Sequence, residues 1–111
     1  MDMQARQVDQ VTVISLSGSI DALTAPKISA YINGQISQGK IRLVVDCGGV
    51  DYTSSAGLRV LLGAVKETRA QGGDLRLAAV QPDVMKVLKL SGFTNILKLF
   101  DDVNSAAASF A

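Results

Sequence analysis

Three consecutive hydroxyl residues, Thr53-Ser54-Ser55, stand directly before Leu58, Leu61, Leu62 and Val65. That i, i+3, i+4, i+7 apolar series predicts an amphipathic helix with Arg59 and Lys66 on its outer side. Two kinds of chemistry suit hydroxyls at such a place. A serine or threonine oxygen can cap the helix by accepting a hydrogen bond from a free amide of the first turn, which would employ one of the three, or two. Alternatively, the site takes a phosphate at Ser54 or Ser55. The unpaired amides and the positive end of the helix dipole favour a dianion there, and the small Ala56-Gly57 pair leaves the backbone approachable. A nucleotide-binding loop is excluded, because the pattern Gly-x-x-x-x-Gly-Lys-Ser/Thr is absent and no lysine follows the turn.

The rest of the chain holds few reagents. Its 111 residues include no histidine, no tryptophan and one cysteine, Cys47. Without histidine there is no Ser-His-Asp or Cys-His pair, no imidazole acid or base and no imidazole metal ligand. A single cysteine forms neither an internal disulfide nor a thiolate zinc site. It lies in the apolar run Leu43-Val44-Val45-Asp46-Cys47, as a small core residue would. Eleven basic residues against ten acidic ones, with five aromatics, offer little to a nucleic acid. The N-terminus carries no signal-peptide core and no apolar run reaches membrane-spanning length, so a soluble cytoplasmic protein is expected, with no membrane partner. With 48% hydrophobic residues, a chain of this length buries one core, and a single domain over 1–111 is expected. The composition points to a binding or signalling module and away from an enzyme; no cofactor or metal is expected.

Alternating elements must position the hydroxyl cluster. Val11 to Leu16 reads as a strand closed by Ser17-Gly18-Ser19, with a shorter antiparallel partner around Ala5 to Val8 and a turn at Asp9-Gln10. Ile41 to Asp46 and Leu75 to Val80 are further apolar runs suited to covered strands, and Ile96 to Phe100 is a weaker one in which Lys98 marks an edge. Between them the period becomes helical. Ile28, Tyr31, Ile32, Gln35 and Ile36 follow a Thr24 cap and Pro26; Leu58 to Val65 end at Gly72-Gly73; Val84, Val87 and Leu88 follow Pro82, turn Lys86 and Lys89 outward and end at Gly92. Val103, Ala106, Ala107 and Phe110 form a last helix opened by Asp101 or Asp102, with Ser105 to Ser109 as its surface. The order β-β-α-β-α-β-α-β-α implies right-handed crossovers and a largely parallel sheet.

Four stretches resemble the STAS family, and within it the bacterial anti-sigma factor antagonists. They are Leu16-Ser17-Gly18-Ser19-Ile20-Asp21; Ala25-Pro26; Val44-Val45-Asp46 through Thr53-Ser54-Ser55-Ala56-Gly57-Leu58-Arg59-Val60-Leu61-Leu62; and Gln71-Gly72-Gly73-Asp74-Leu75 with Leu90-Ser91-Gly92-Phe93. The third is the specific one. The resemblance implies a STAS-type α/β fold: a mostly parallel sheet of four to five strands, an N-terminal antiparallel strand and about four helices.

It also implies a phosphorylation switch. An unphosphorylated antagonist binds an anti-sigma factor that is also a serine protein kinase, is phosphorylated and released by it, and is reset by a metal-dependent serine phosphatase. The family's acceptor opens the pattern Ser-Ser/Thr/Ala-Gly-Leu, which Ser55-Ala56-Gly57-Leu58 fits, so Ser55 is the expected acceptor and Ser54 the second choice. Ser54 stands where the family usually has aspartate. That departure keeps open a STAS module with no phosphorylation cycle, acting as a scaffold or a transport-complex subunit. Asp21, Ser54, Ser55, Ala56, Gly57 and Arg59 are the expected partner-binding residues, with Asp21 equally readable as a turn or cap residue. Asp46 is expected to support the loop before Tyr52 or to lie near the acceptor, Met85 to fill core space, and the chain to be a monomer.

Overall fold

The computed structural model describes residues 1–111. Its strands are β1 (Asp2–Val8), β2 (Val11–Ile20), β3 (Arg42–Thr53), β4 (Asp74–Ala78) and β5 (Leu99–Phe100). The helices are α1 (Ala25–Ser37), α2 (Ser55–Ala70), α3 (Pro82–Leu90) and α4 (Val103–Ala108), with a 3₁₀ turn at Phe93–Asn95. The five strands lie side by side in chain order; β1 pairs antiparallel with β2, and β2, β3, β4 and β5 run parallel. The expected α/β class and alternation are therefore present.

A parallel sheet that grows in one direction through right-handed crossovers must carry its crossover helices on one face. The core obeys this. Residues from α1, α2 and α3 (Ile28, Ile32 and Ile36; Leu58, Leu61 and Val65; Val84 and Leu88) pack with Ile14, Leu16, Leu43, Val45, Leu75 and Leu77 of the sheet in one cluster. Alternate strand residues Val11, Val13, Val44 and Ala78 face the other way and meet Ala106 of α4. α1 has no acidic residue in its first turn and no basic one in its last, so it is held by packing. Its three buried isoleucines contribute roughly 1.5–3 kcal/mol each.

The differences from expectation are local. β1 begins at Asp2, three residues earlier than its composition suggests, because an edge strand needs few apolar side chains once its backbone pairs with β2. β3 does not stop at Asp46 but runs on through Gly48-Gly49 to Thr53, gaining one residue over β2 between Ser15 and Ser17 and another between Gly18 and Ser19. β4 ends at Ala78 because Ala79 adopts φ +58°, and only Leu99–Phe100 of the fifth run pair as a strand. Ala106 is fully buried, so the Ser105 to Ser109 tail is part of the core and not only helix surface. Asp102, rather than Asp101, opens α4, its Oδ1 accepting the Ser105 N–H at 2.7 Å. Met85 is half-buried against the main cluster, where a flexible side chain fills space. Cys47 is buried, and burial together with the neighbouring Asp46 charge pushes its thiol up to about 12.

Candidate functional site

The hydroxyl cluster sits where β3 passes into α2, beside the end of β2. The sheet ladder continues one step beyond the strand: Ser54 N–H donates to the Ile20 carbonyl at 2.8 Å, and the Ser54 carbonyl then accepts the Leu58 N–H at 3.2 Å. The junction is thus pinned by main chain on both sides. Gly57, in the first turn of α2, is buried against β2 and β3, and a Cβ there would lie 2.5 Å from Thr53 Oγ1 and overlap Ile20. Its missing side chain serves this close helix-to-sheet approach. The expectation that Gly57 keeps the backbone open to a ligand is corrected accordingly.

The three hydroxyls have separate fates. Thr53 is buried at the end of β3 and donates to the Ser54 carbonyl at 3.2 Å. Ser54 occupies the cap position with extended backbone (φ −90°, ψ 174°), yet its side chain caps nothing: Oγ is buried and without a hydrogen-bond partner. Ser55 is the first residue of α2 and is exposed. The capping role open to these residues is therefore filled by none of their side chains. The leading amides of α2 have no carbonyl of their own helix to meet, and Ser55 stands among them.

Asp21 is drawn into the turn before α1. Its Oδ1 accepts the N–H groups of Leu23 and Thr24 at 2.9 and 3.0 Å, and these bonds hold its carboxyl below the usual range. Thr24 occupies the cap position of α1, but its hydroxyl accepts Asp21 N–H and donates to the Ser19 carbonyl instead of capping, both at 2.9 Å. Asp46 Oδ1 accepts the Gly48 N–H at 3.0 Å and Oδ2 accepts the Ser15 hydroxyl at 3.3 Å, so it braces the β2–β3 bulge. Ala56 is half-buried beside Ser55, and Arg59 is exposed one turn further along α2 with no ion pair.

Two residues that the sequence reading did not single out share this end of the sheet. Leu23 is 82% exposed and Tyr52 is 52% exposed, among the few large apolar side chains left in water. Asp51, the unpaired residue of the β3 bulge between Val50 and Tyr52, accepts the Ser19 hydroxyl at 2.8 Å. The signal for Tyr52 was its place in a strand tail that appeared to have ended; Leu23, in a turn, carried none. A separate cavity of about 530 Å³ lies between the β1–β2 turn and the end of α4, lined by Val8, Val11, Arg42, Ala107 and Phe110, and neither Ser54 nor Ser55 lines it.

The family model described as STAS domain matches residues 2–106. The Bordetella bronchiseptica protein BtrV, which carries the name anti-sigma factor antagonist, is 34% identical over 110 residues, 99% of this chain and 95% of its own. A solved Thermotoga maritima structure described under the same name superposes with a TM-score of 0.92 at 19% identity, covering 96% of this chain and 92% of that one. The Bacillus cell fate determinant SpoIIAA in its phosphorylated form matches with a TM-score of 0.77 at 24% identity, covering 99% and 100%. No helix of the chain is long and apolar enough to cross a membrane.

Proposed function

This chain belongs to the STAS domain family, and from that premise we propose that it is an anti-sigma factor antagonist switched by phosphorylation of Ser55. The observation that carries the choice of serine is the contrast within the pair: Ser55 is exposed at the helix start, while the Ser54 hydroxyl is buried. An enzyme cannot transfer a group to an oxygen it cannot reach. In the step proposed, Ser55 Oγ attacks the γ-phosphorus of ATP held by the kinase partner, its proton passes to a base of that partner, and ADP leaves. This chain is the substrate and contributes no catalytic group.

The unphosphorylated protein meets its partner, an anti-sigma factor with serine kinase activity, through the surface around Ser55, Ala56 and Arg59. Exposed Leu23 and Tyr52 supply the apolar part of that contact. Asp21 shapes the turn carrying Leu23, and Gly57 acts from below by seating the helix. Phosphorylation adds about −1.5 to −2 charges and three acceptor oxygens at one point of this surface, which repels a partner fitted to a neutral hydroxyl. The fold need not rearrange, because a helix start accommodates an anion. A metal-dependent serine phosphatase restores the binding form. The chain acts as a cytoplasmic, monomeric unit over 1–111.

Incubation with the cognate anti-sigma kinase and Mg-ATP, followed by intact-mass measurement and fragment mapping, tests the reading. One phosphate on Ser55, abolished in Ser55→Ala, is expected. A phosphate on Ser54 overturns the acceptor assignment. No incorporation overturns the switch and leaves a STAS module without a phosphorylation cycle.

A further inference from the structure

Arg59 lies four residues after Ser55 on α2, and both are exposed. Residues four apart on a helix are neighbours on one face, with Cβ atoms about 5–6 Å apart. Arg59 enters neither ion pair of the chain, Arg69–Asp74 or Arg76–Asp74, and no side-chain hydrogen bond engages its guanidinium. It follows Leu58, whose side chain is buried, so the helix turns Arg59 away from the core. Neither packing nor internal charge balance uses this cation.

Resting on the reading of Ser55 as acceptor, we propose that Arg59 is the residue that holds the phosphate once Ser55 carries it. The modification then changes this surface twice. It adds an anion, and it withdraws a guanidinium that was free to meet an acidic group on the partner. Lys27, exposed in the first turn of α1, is another cation at this end but lies on a different helix from Ser55. The carboxylates beside the ends of β2 and β3 have internal partners, Asp21 with the Leu23 and Thr24 amides and Asp51 with the Ser19 hydroxyl. They repel a phosphate and do not compete for Arg59. The spacing also distinguishes the two serines. A phosphate on Ser54 would lie five residues from Arg59, off its face of the helix, and would start from an oxygen turned into the protein.

The test is a ³¹P NMR titration of the full chain carrying phosphoserine at position 55, introduced by the kinase or by genetic encoding, in wild-type, Arg59→Ala and Arg59→Lys forms. The second ionisation of the phosphate is expected to rise by a few tenths of a pH unit in Arg59→Ala at low salt, be largely restored in Arg59→Lys, and lose its dependence on residue 59 at about 1 M salt. Identical titrations in wild type and Arg59→Ala at low salt overturn the proposal. So does a difference that persists unchanged in high salt, since a buried structural effect would ignore screening. Encoded phosphoserine makes this result independent of whether a kinase modifies Ser55, so failure here and failure of the acceptor assignment are separable.

Discussion

The two ends of α2 treat polar groups in opposite ways. At its C-terminal end, Asp74 is buried and satisfied: it accepts Arg69 Nε at 2.8 Å, Arg76 Nε at 3.0 Å and the Leu75 N–H at 3.0 Å. Arg69 goes on to the Ile96 carbonyl, and Arg76 to the Ser109 hydroxyl while its guanidinium lies 3.9 Å from the centre of the Phe110 ring. One carboxylate thereby ties α2, β4, the segment before β5 and the end of α4 together. At the N-terminal end of the same helix, Ser54 Oγ has no partner, Ser55 and Arg59 face water, and Leu23 and Tyr52 stay uncovered. Polar groups joined to one another inside the chain hold the fold. Groups left over at one place, beside exposed apolar side chains, are available to something outside it.

The largest effect is expected at the satisfied end. Asp74→Ala leaves Arg76 nearly buried without its carboxylate and should lower stability by about 3 kcal/mol, seen as a reduced denaturant midpoint at unchanged m. Partner affinity should hardly move. A loss below about 1 kcal/mol would erase the contrast between the ends. The pH dependence has a fixed sign. Burial pushes the Asp74 carboxyl up, but hydrogen bonds from Arg76 and Arg69, the Arg69 charge and the Leu75 amide together hold it below its ordinary 3.8. Its contribution is therefore complete above about pH 4 to 5 and is lost as the pH falls below 3.8 through the lowered folded value, a decline that Asp74→Ala should lack.

Gly57→Ala comes next and joins the two behaviours. The added methyl presses on Ile20 and Thr53, so a loss of about 2 kcal/mol is expected in melts. The displaced first turn should also weaken partner binding. Ser55→Asp should cost at least about tenfold in affinity for the anti-sigma kinase, roughly 1.4 kcal/mol, while Ser55→Ala keeps the wild-type value. Both should melt with wild type, because the exposed hydroxyl holds nothing within the fold; equal affinities for the two variants would remove the switch from this end. The smallest effect is at Cys47, midway along β3. Its thiol, pushed up to about 12, should resist alkylation at pH 8 until denaturant opens the core.

The main elements were legible wherever the side-chain period was strong. The apolar spacing of Leu58, Leu61 and Val65 located α2, and Gly72 at φ +87° ends it as expected. The site was legible as a segment but not as a geometry. Thr53, Ser54 and Ser55 are alike in sequence, and only the pairing of β3 with β2 decides that the first is buried, the second turned inward and the third exposed. Gly48-Gly49 lies beyond the strand end expected at Asp46, yet Gly49 belongs to the ladder: a Cβ there would lie 2.8 Å from Ser17 Oγ, so the glycine allows the strands to pass. The Asp74 clasp was missed because its arginines come from residues two positions along a strand and five positions back on a helix, a joint that no periodic pattern marks.

The two extra residues that β3 gains over β2 also bear on how this protein tolerates insertion and deletion. In a strand, adjacent residues point to opposite faces, so a loss of one residue between Gly48 and Asp51 that slipped the Tyr52–Ser19 and Thr53–Ile20 register by one would turn Tyr52 inward and Thr53 outward. The entry into α2, and with it the presentation of Ser54 and Ser55, would change without a substitution at either serine. The choice of Ser55 as the proposed acceptor is therefore written partly as a residue count along β3, and length changes in that stretch should be purged more strictly than most changes of residue type.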